Sequence, residues 1–223
     1  PKTSQPSPHQ FAEFYKKIAQ PGDTILSIHI TSKLSGTYAS SVAAAEELKG
    51  TYTVVPVDTL CGTMGTAFMC RSARQMERAG KSVDEIKTFI EGVRGKTHVI
   101  LTLETLEYAK RSGRVGTLSA ALASVLNVKP IAMLKDGIVD MVDRVRTRKG
   151  AIDRVLDLAK ENVGDSPVHI GVVHARDEAS AKSLLEEAQK RFNVKESFLT
   201  DLSISLVINF GPGTVGLVLY PAE

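Results

Sequence analysis

The 223-residue sequence has no Trp, and only 5% of it is aromatic, so the 43% hydrophobic fraction is mostly aliphatic. Two cysteines, Cys61 and Cys70, exclude a disulfide framework and a four-cysteine zinc site, and suit reduced thiols in a cytosolic protein. No charge-free apolar run reaches the eighteen or so residues a membrane helix needs; Leu202–Tyr220 is interrupted by Gly211-Pro212-Gly213. Signal peptide, low-complexity tract and fixed-period repeat are lacking. The formal charge of +3 does not form the dense basic stripe of a nucleic-acid binder. The chain opens on Pro-Lys-Thr-Ser without Met, which fits either a processed chain or a piece of a longer one.

Strand and helix patterns alternate. Ser7 is positioned to cap a helix with Phe11, Phe14, Tyr15 and Ile18 on one face, and Ser82 with Glu85 forms a capping box before another. Strands are predicted over Thr24–Ile30, Tyr52–Val57, His98–Leu103, Val128–Leu134, Ile138–Val145, Val168–His174 and Lys195–Thr200. Asp136-Gly137 between two apolar runs signals a hairpin, and a helix is predicted over Ser119–Leu126. The expected fold class is α/β with two domains. Residues 1–95 form a parallel sheet with helices on both faces, and residues 96–223 an α+β domain, divided near Gly95-Lys96.

Four loops carry small polar residues where such sheets place ligands: Thr3–Pro8, Ser32–Tyr38, Arg111–Arg114 and Asn209–Gly213. Ser35-Gly36-Thr37 lies between a strand and a helix. Its hydroxyls either cap the helix or join the free N–H groups in holding a carboxylate or phosphate. The spacing matches neither a P-loop nor a dinucleotide fingerprint, which disfavours a nucleotide site. Arg114 follows Gly113 and can clamp an oxyanion or remain an exposed turn arginine. Gly211-Pro212-Gly213 within an apolar stretch suggests a close backbone approach. Catalytic constellations and metal-ligand spacings are missing. His29, His98 and His169 fall in strand patterns, and only His29 and His174, near strand ends, are candidate site histidines. Cys61 follows a strand and is the one candidate nucleophile. The run Arg144–Lys149, with Arg144, Arg146 and Arg148, is either a solvated face or a docking surface for an acidic partner.

Taken in order, Thr3–Pro8, Ser32–Tyr38, Asp58-Thr59 with Thr63-Met64-Gly65, Ser112–Val115, Asn127–Ile131, Asp136-Gly137, Arg146-Thr147, His174-Ala175 and Gly211–Gly216 resemble the motifs of the DegV family of bacterial fatty-acid-binding proteins. The resemblance implies two α/β domains that bury a long-chain fatty acid, and no cofactor. It implies a cytoplasmic binding subunit that makes transient contact with the membrane surface and acts in phospholipid metabolism. Such a subunit presents the carboxylate to a separate ATP-dependent fatty acid kinase, which forms the acyl phosphate. By motif, the family's carboxylate-binding positions fall on Thr3, Ser35 and Arg114, with Ser4, Gly36, Thr37 and Asn209 as further candidate ligand contacts beside them. Asn209 stands where the family usually has His, and Ser112 where it has the first Gly of Gly-Gly-Arg. Family members carry a leading strand and helix before the Thr-Ser-Gln-Pro motif, so the resemblance implies that this segment is missing. Two other classes stand beside this reading. One is a stand-alone α/β enzyme for a small anionic substrate, using Cys61 or His29. The other is a regulatory or scaffold module docking through Arg144–Lys149.

Overall fold

A computed structural model of the chain describes residues 2–114 and 127–222; the helix predicted over Ser119–Leu126 lies outside them. In chain order the elements are α1 (Pro8–Ile18), β1 (Thr24–His29), α2 (Thr37–Glu47), β2 (Thr53–Asp58), α3 (Thr63–Arg78), α4 (Val83–Val93) and β3 (His98–Thr102). Then follow α5 (Glu107–Ser112), β4 (Lys129–Lys135), β5 (Ile138–Val145), α6 (Arg148–Val163), β6 (Val168–His174), α7 (Glu178–Arg191), β7 (Val194–Asp201), α8 (Ile204–Phe210) and β8 (Val215–Pro221). The expected Ser82 capping box forms, and the expected Ser7 cap is part of a second box with Gln10. Ser7 Oγ accepts from Gln10 N and Ser82 Oγ from Glu85 N, while each partner's side chain accepts from the cap's own N–H.

The fold is mixed α/β. β1 and β2 make a two-stranded parallel sheet, and the other strands form one sheet in the order β5-β4-β3-β8-β6-β7. In the larger sheet only β6 and β7 run parallel, joined through α7; the remaining pairs are antiparallel. β8 lies inside this sheet, and Val215–Tyr220 are buried without interruption. That explains the unbroken apolar run of the sequence, since a strand covered on both faces cannot alternate apolar and polar residues. Its side chains divide between two cores. Val218 and Tyr220 pack with α3 and α4 (Phe68, Met69, Ile86, Ile90), and Leu217 and Leu219 with α6 and α7 (Val155, Leu156, Leu184).

α3 occupies the space between the two sheets. Its core cluster takes in Val57, with Leu26 and Ile28 packed against it from the small sheet, as well as Leu101 and Val218 from the large one. On the large-sheet side Phe68 stacks on Tyr220 with ring centroids 5.3 Å apart, Ser72 Oγ lies 2.9 Å from the Tyr220 hydroxyl, and Arg71 pairs with Glu196 at 2.6 Å. Gly95-Lys96 lies in a 3-10 turn between α4 and β3, and the core containing α3 and α4 continues across it.

α1 and α2 cover the opposite face of the small sheet, burying Ala12, Tyr15, Ala44 and Leu48. The expected apolar face of α1 needs one correction: Phe14 and Ile18 are 54% and 56% exposed, and the buried face runs through Ala12 and Tyr15 with Phe11 at its margin. α1 packs on α2, a contact narrower than its apolar stripe. The predicted hairpin forms, and both turn residues lie in the left-handed region (Asp136 φ 50°, Gly137 φ 82°), as a two-residue type I′ turn requires.

Leu217 is wholly buried in the second core. Leu217→Ala is expected to cost about 2–5 kcal/mol, read as a lower urea midpoint with an unchanged slope. A loss below about 1 kcal/mol would mean that this core does not hold the sheet as described.

Candidate functional site

The loop that follows β1, the N-terminal segment, Arg114 beyond α5, and α8 converge on one side of the molecule. There a polar pocket of about 420 Å³ gathers Thr3, Ser4, Ser35, Gly36, Thr37, Arg114 and Asn209, all seven residues that the sequence motifs single out as candidate ligand contacts. Residues up to 206 positions apart in the chain meet only because α3 holds the small sheet against the large one (209 minus 3).

Local chemistry suits this pocket to an anion. Ser35 Oγ lies 2.7 Å from Thr37 Oγ1 and accepts from Thr37 N at 3.3 Å. Gly36, the N-cap of α2, supplies no side-chain cap, and α2 has no acidic residue in its first turn. Beyond Thr37 N, the next first-turn N–H groups, of Tyr38 and Ala39, and the positive end of the helix dipole therefore remain available. Lys33 and Arg114 add two cations, and no carboxylate is among the described residues that line the pocket. Gln5 Nε2 donates to Ser40 Oγ at 3.3 Å and ties the N-terminal segment to α2. Arg114 folds back, its Nη1 donating to Ser112 O at 2.6 Å. Asn209 Nδ2 donates to Ser205 O at 2.9 Å, within α8.

Thr3, Arg114 and Asn209 also line a second, larger cavity of about 1100 Å³. Leu202, Ile204, Val207 and Ile208 give it an apolar wall, with Tyr108 and Pro212 beside them. The backbone between α8 and β8 shapes this wall. Gly211 has φ 88°, and a Cβ there would lie 2.3 Å from the ring of Tyr108. Only glycine permits both the left-handed turn and the seating of α5 on α8. Basic side chains, Lys2, Arg111, Arg114 and Arg176, surround the apolar wall.

The remaining candidates separate. His174 lines the larger cavity; its side chain is 12% exposed, and Nδ1 is 3.6 Å from the Asp201 carboxylate. His29 faces away from both cavities. It is buried with Nε2 2.8 Å from Ser27 Oγ, in a hydroxyl network where Tyr15 OH contacts Ser27 Oγ at 2.6 Å and Ser41 Oγ at 2.7 Å. Burial holds its pKa below the ordinary imidazole value, partly opposed by Asp58. Cys61 is buried and donates to Gly62 O, and burial pushes its thiol up to about 12. The thiolate that nucleophilic chemistry requires is thus suppressed, which removes Cys61 as a candidate nucleophile. Arg148 is not part of a solvated basic face. It pairs with Asp177 at 2.5 Å and donates to Gly213 O at 2.8 Å and Ser180 Oγ at 3.2 Å, clamping the Gly-Pro-Gly turn from behind. Arg144 and Arg146 are exposed. Among the described residues no cluster of His, Cys, Asp or Glu could hold a metal ion, and no helix is long and apolar enough to cross a membrane.

The motifs did not single out Lys33 or Gln5 as contacts, nor the α8 residues of the cavity wall. Lys33 was legible as part of the polar loop. The wall was legible only as an apolar run, which a core strand would have produced equally well.

Fold and site define a two-sheet α/β protein in which a polar pocket bearing Lys33 and Arg114 adjoins an apolar cavity. The chain belongs to the DegV family: the family model described as "Uncharacterised protein, DegV family" matches residues 1–222. It is 34% identical over 219 residues to a DegV domain-containing protein of Streptomyces coelicolor, covering 97% of this chain and 77% of that one. It is 35% identical over 223 residues to one of Listeria monocytogenes, covering 99% and 78%. Among solved structures, a DegV family protein from Thermus thermophilus described for its fatty acid binding superposes with TM-score 0.92 at 33% identity, covering 100% of this chain and 79% of that one. DegV of Bacillus subtilis, a fatty acid binding protein, superposes with TM-score 0.87 at 27% identity and the same coverage.

The buried neutral imidazole of His29 has a pH consequence. Its folded pKa lies below the unfolded value of about 6.5, so its contribution is complete above that pH and is lost as pH falls toward the folded pKa. Burial lowers His98 in the same way. The urea midpoint is therefore expected to fall between pH 7 and 5, and His29→Gln to flatten the decline. A midpoint that rises over this interval would contradict the burial of both rings.

Proposed function

We propose that this protein binds a long-chain fatty acid, with the carboxylate in the polar pocket and the acyl chain in the adjoining cavity. The observation that carries the reading is the sharing of Thr3, Arg114 and Asn209 between a cavity with an aliphatic wall and a polar pocket whose described residues include Lys33 and Arg114 but no carboxylate. The fatty acid binding of the Thermus thermophilus relative, at 33% identity, supports it. Burying about fourteen methylenes at about 0.8 kcal/mol each supplies on the order of 11 kcal/mol of gross driving force, much of it offset by ordering the ligand. The tail thus provides affinity. The hydroxyls, the α2 N–H groups and Arg114 replace the water that an ionised head loses, a loss that would otherwise cost several kcal/mol.

In this reading the chain is a substrate carrier of the bacterial cytoplasm and performs no chemical step itself. It offers the bound carboxylate to a separate ATP-dependent kinase that forms the acyl phosphate. The exposed Arg144 and Arg146 supply a docking surface for that partner, and contact with the membrane surface is transient. Buried Cys61 and the inward-facing His29 weigh against the alternative of a stand-alone enzyme using either group.

Denaturing mass spectrometry of purified protein is expected to reveal a long-chain fatty acid, and delipidated protein to take up oleate. Ser35→Ala is expected to weaken oleate binding by about 1–2 kcal/mol, roughly 5- to 30-fold. Failure of the delipidated protein to bind palmitate or oleate would refute the reading, and unchanged affinity in Ser35→Ala would remove that hydroxyl from the site.

A further inference from the structure

We propose that Thr31 and Gly137 form a latch through which the β4–β5 hairpin positions the ligand-binding loop of residues 31–37; the inference rests on the fatty acid reading of the polar pocket. Thr31 is wholly buried, yet it opens the loop whose Ser32, Lys33 and Ser35 line the pocket. Its Oγ1 donates to Gly137 O at 3.0 Å, across 106 residues of sequence, and accepts from Lys33 N at 3.2 Å. Its backbone is committed as well: Thr31 N donates to Cys61 O at 2.8 Å, and Thr31 O accepts from Leu34 N at 3.2 Å. A hydroxyl has one proton to give, so the bond to Gly137 fixes the orientation in which Oγ1 receives Lys33 N.

The hairpin tip is seated without slack. A Cβ on Gly137 would lie 2.3 Å from Thr31 Oγ1, 3.1 Å from Lys33 Cγ and 3.2 Å from Leu60 Cδ2. With φ at 82° the position is suited to glycine on backbone grounds too, and the two-residue turn keeps the Gly137 carbonyl in one direction. Removing the hydroxyl would leave a buried carbonyl and the Lys33 amide without partners and free the loop before ligand arrives. The ligand would then have to supply the ordering. By linkage, ligand bound on the loop stabilises the latch in return.

The test measures oleate affinity, well below the melting transition, for delipidated wild-type protein, Thr31→Val and Thr31→Ser. Thr31→Val is expected to bind roughly tenfold more weakly, and Thr31→Ser, which keeps the hydroxyl, within about twofold of wild type. A Thr31→Val protein that melts earlier but binds oleate as wild type does would overturn the latch while leaving the fatty acid reading intact. Wild-type protein that binds no fatty acid would overturn both. Hydrogen exchange of the wild-type chain gives a second readout that needs no variant to fold. Saturating oleate is expected to slow exchange over residues 132–140 as well as 31–37, and protection confined to 31–37 would count against the latch.

Discussion

The burial of α3 between two sheets is the constraint on which the other features depend. Phe68 and Met69 belong to a core that also takes Val57 from the small parallel sheet and Leu101 and Val218 from the large mixed one. A two-stranded sheet is marginal by itself in water. Here it gains stability from helices on both faces, one of which is anchored to the larger sheet by the Phe68–Tyr220 stack and the Arg71–Glu196 pair. With α3 in place, the loop that follows β1 faces α8, the N-terminal segment and Arg114, and the polar pocket lies between them.

β1 divides two kinds of chemistry. Leu26 and Ile28 pack toward the α3 core, whereas Ser27 and His29 join Tyr15 and Ser41 in a buried hydroxyl network under α1 and α2. Satisfied polar groups of this kind specify a unique packing, because an unpaired one would be costly. The same strand thus places a structural histidine on one side, while the loop at its end carries hydroxyls that line the polar pocket. The clamp of Arg148 on Gly213 and the seat of Tyr108 on Gly211 act likewise for the cavity wall, holding irregular backbone in one arrangement.

Much of this was legible along the chain. Ser7 and Ser82 announced their helices because a cap needs only residues three positions apart, and Asp136-Gly137 announced its turn because both positions must tolerate positive φ. The small polar residues at Ser35 and Thr37 marked a strand-to-helix loop able to receive an anion. The exposure of Phe14 and Ile18 was not legible, because periodicity shows which residues share a face and not how wide a surface that face meets. The inward turn of Arg148 was hidden for a similar reason: its partners Asp177, Ser180 and Gly213 are all distant in sequence.

The sequence by itself determined most of the strands that precede the apolar tail, the local caps and turns, the absence of nucleotide and metal signatures, and a set of polar motifs, since each depends on residues close together in the chain. Tertiary structure alone decided that those motifs share one pocket and that an apolar cavity adjoins it. It also decided that Cys61 and His29 are buried away from it, and that a hairpin tip bears on its loop. These are properties of contacts between distant residues, which come into being only when the two sheets close on α3.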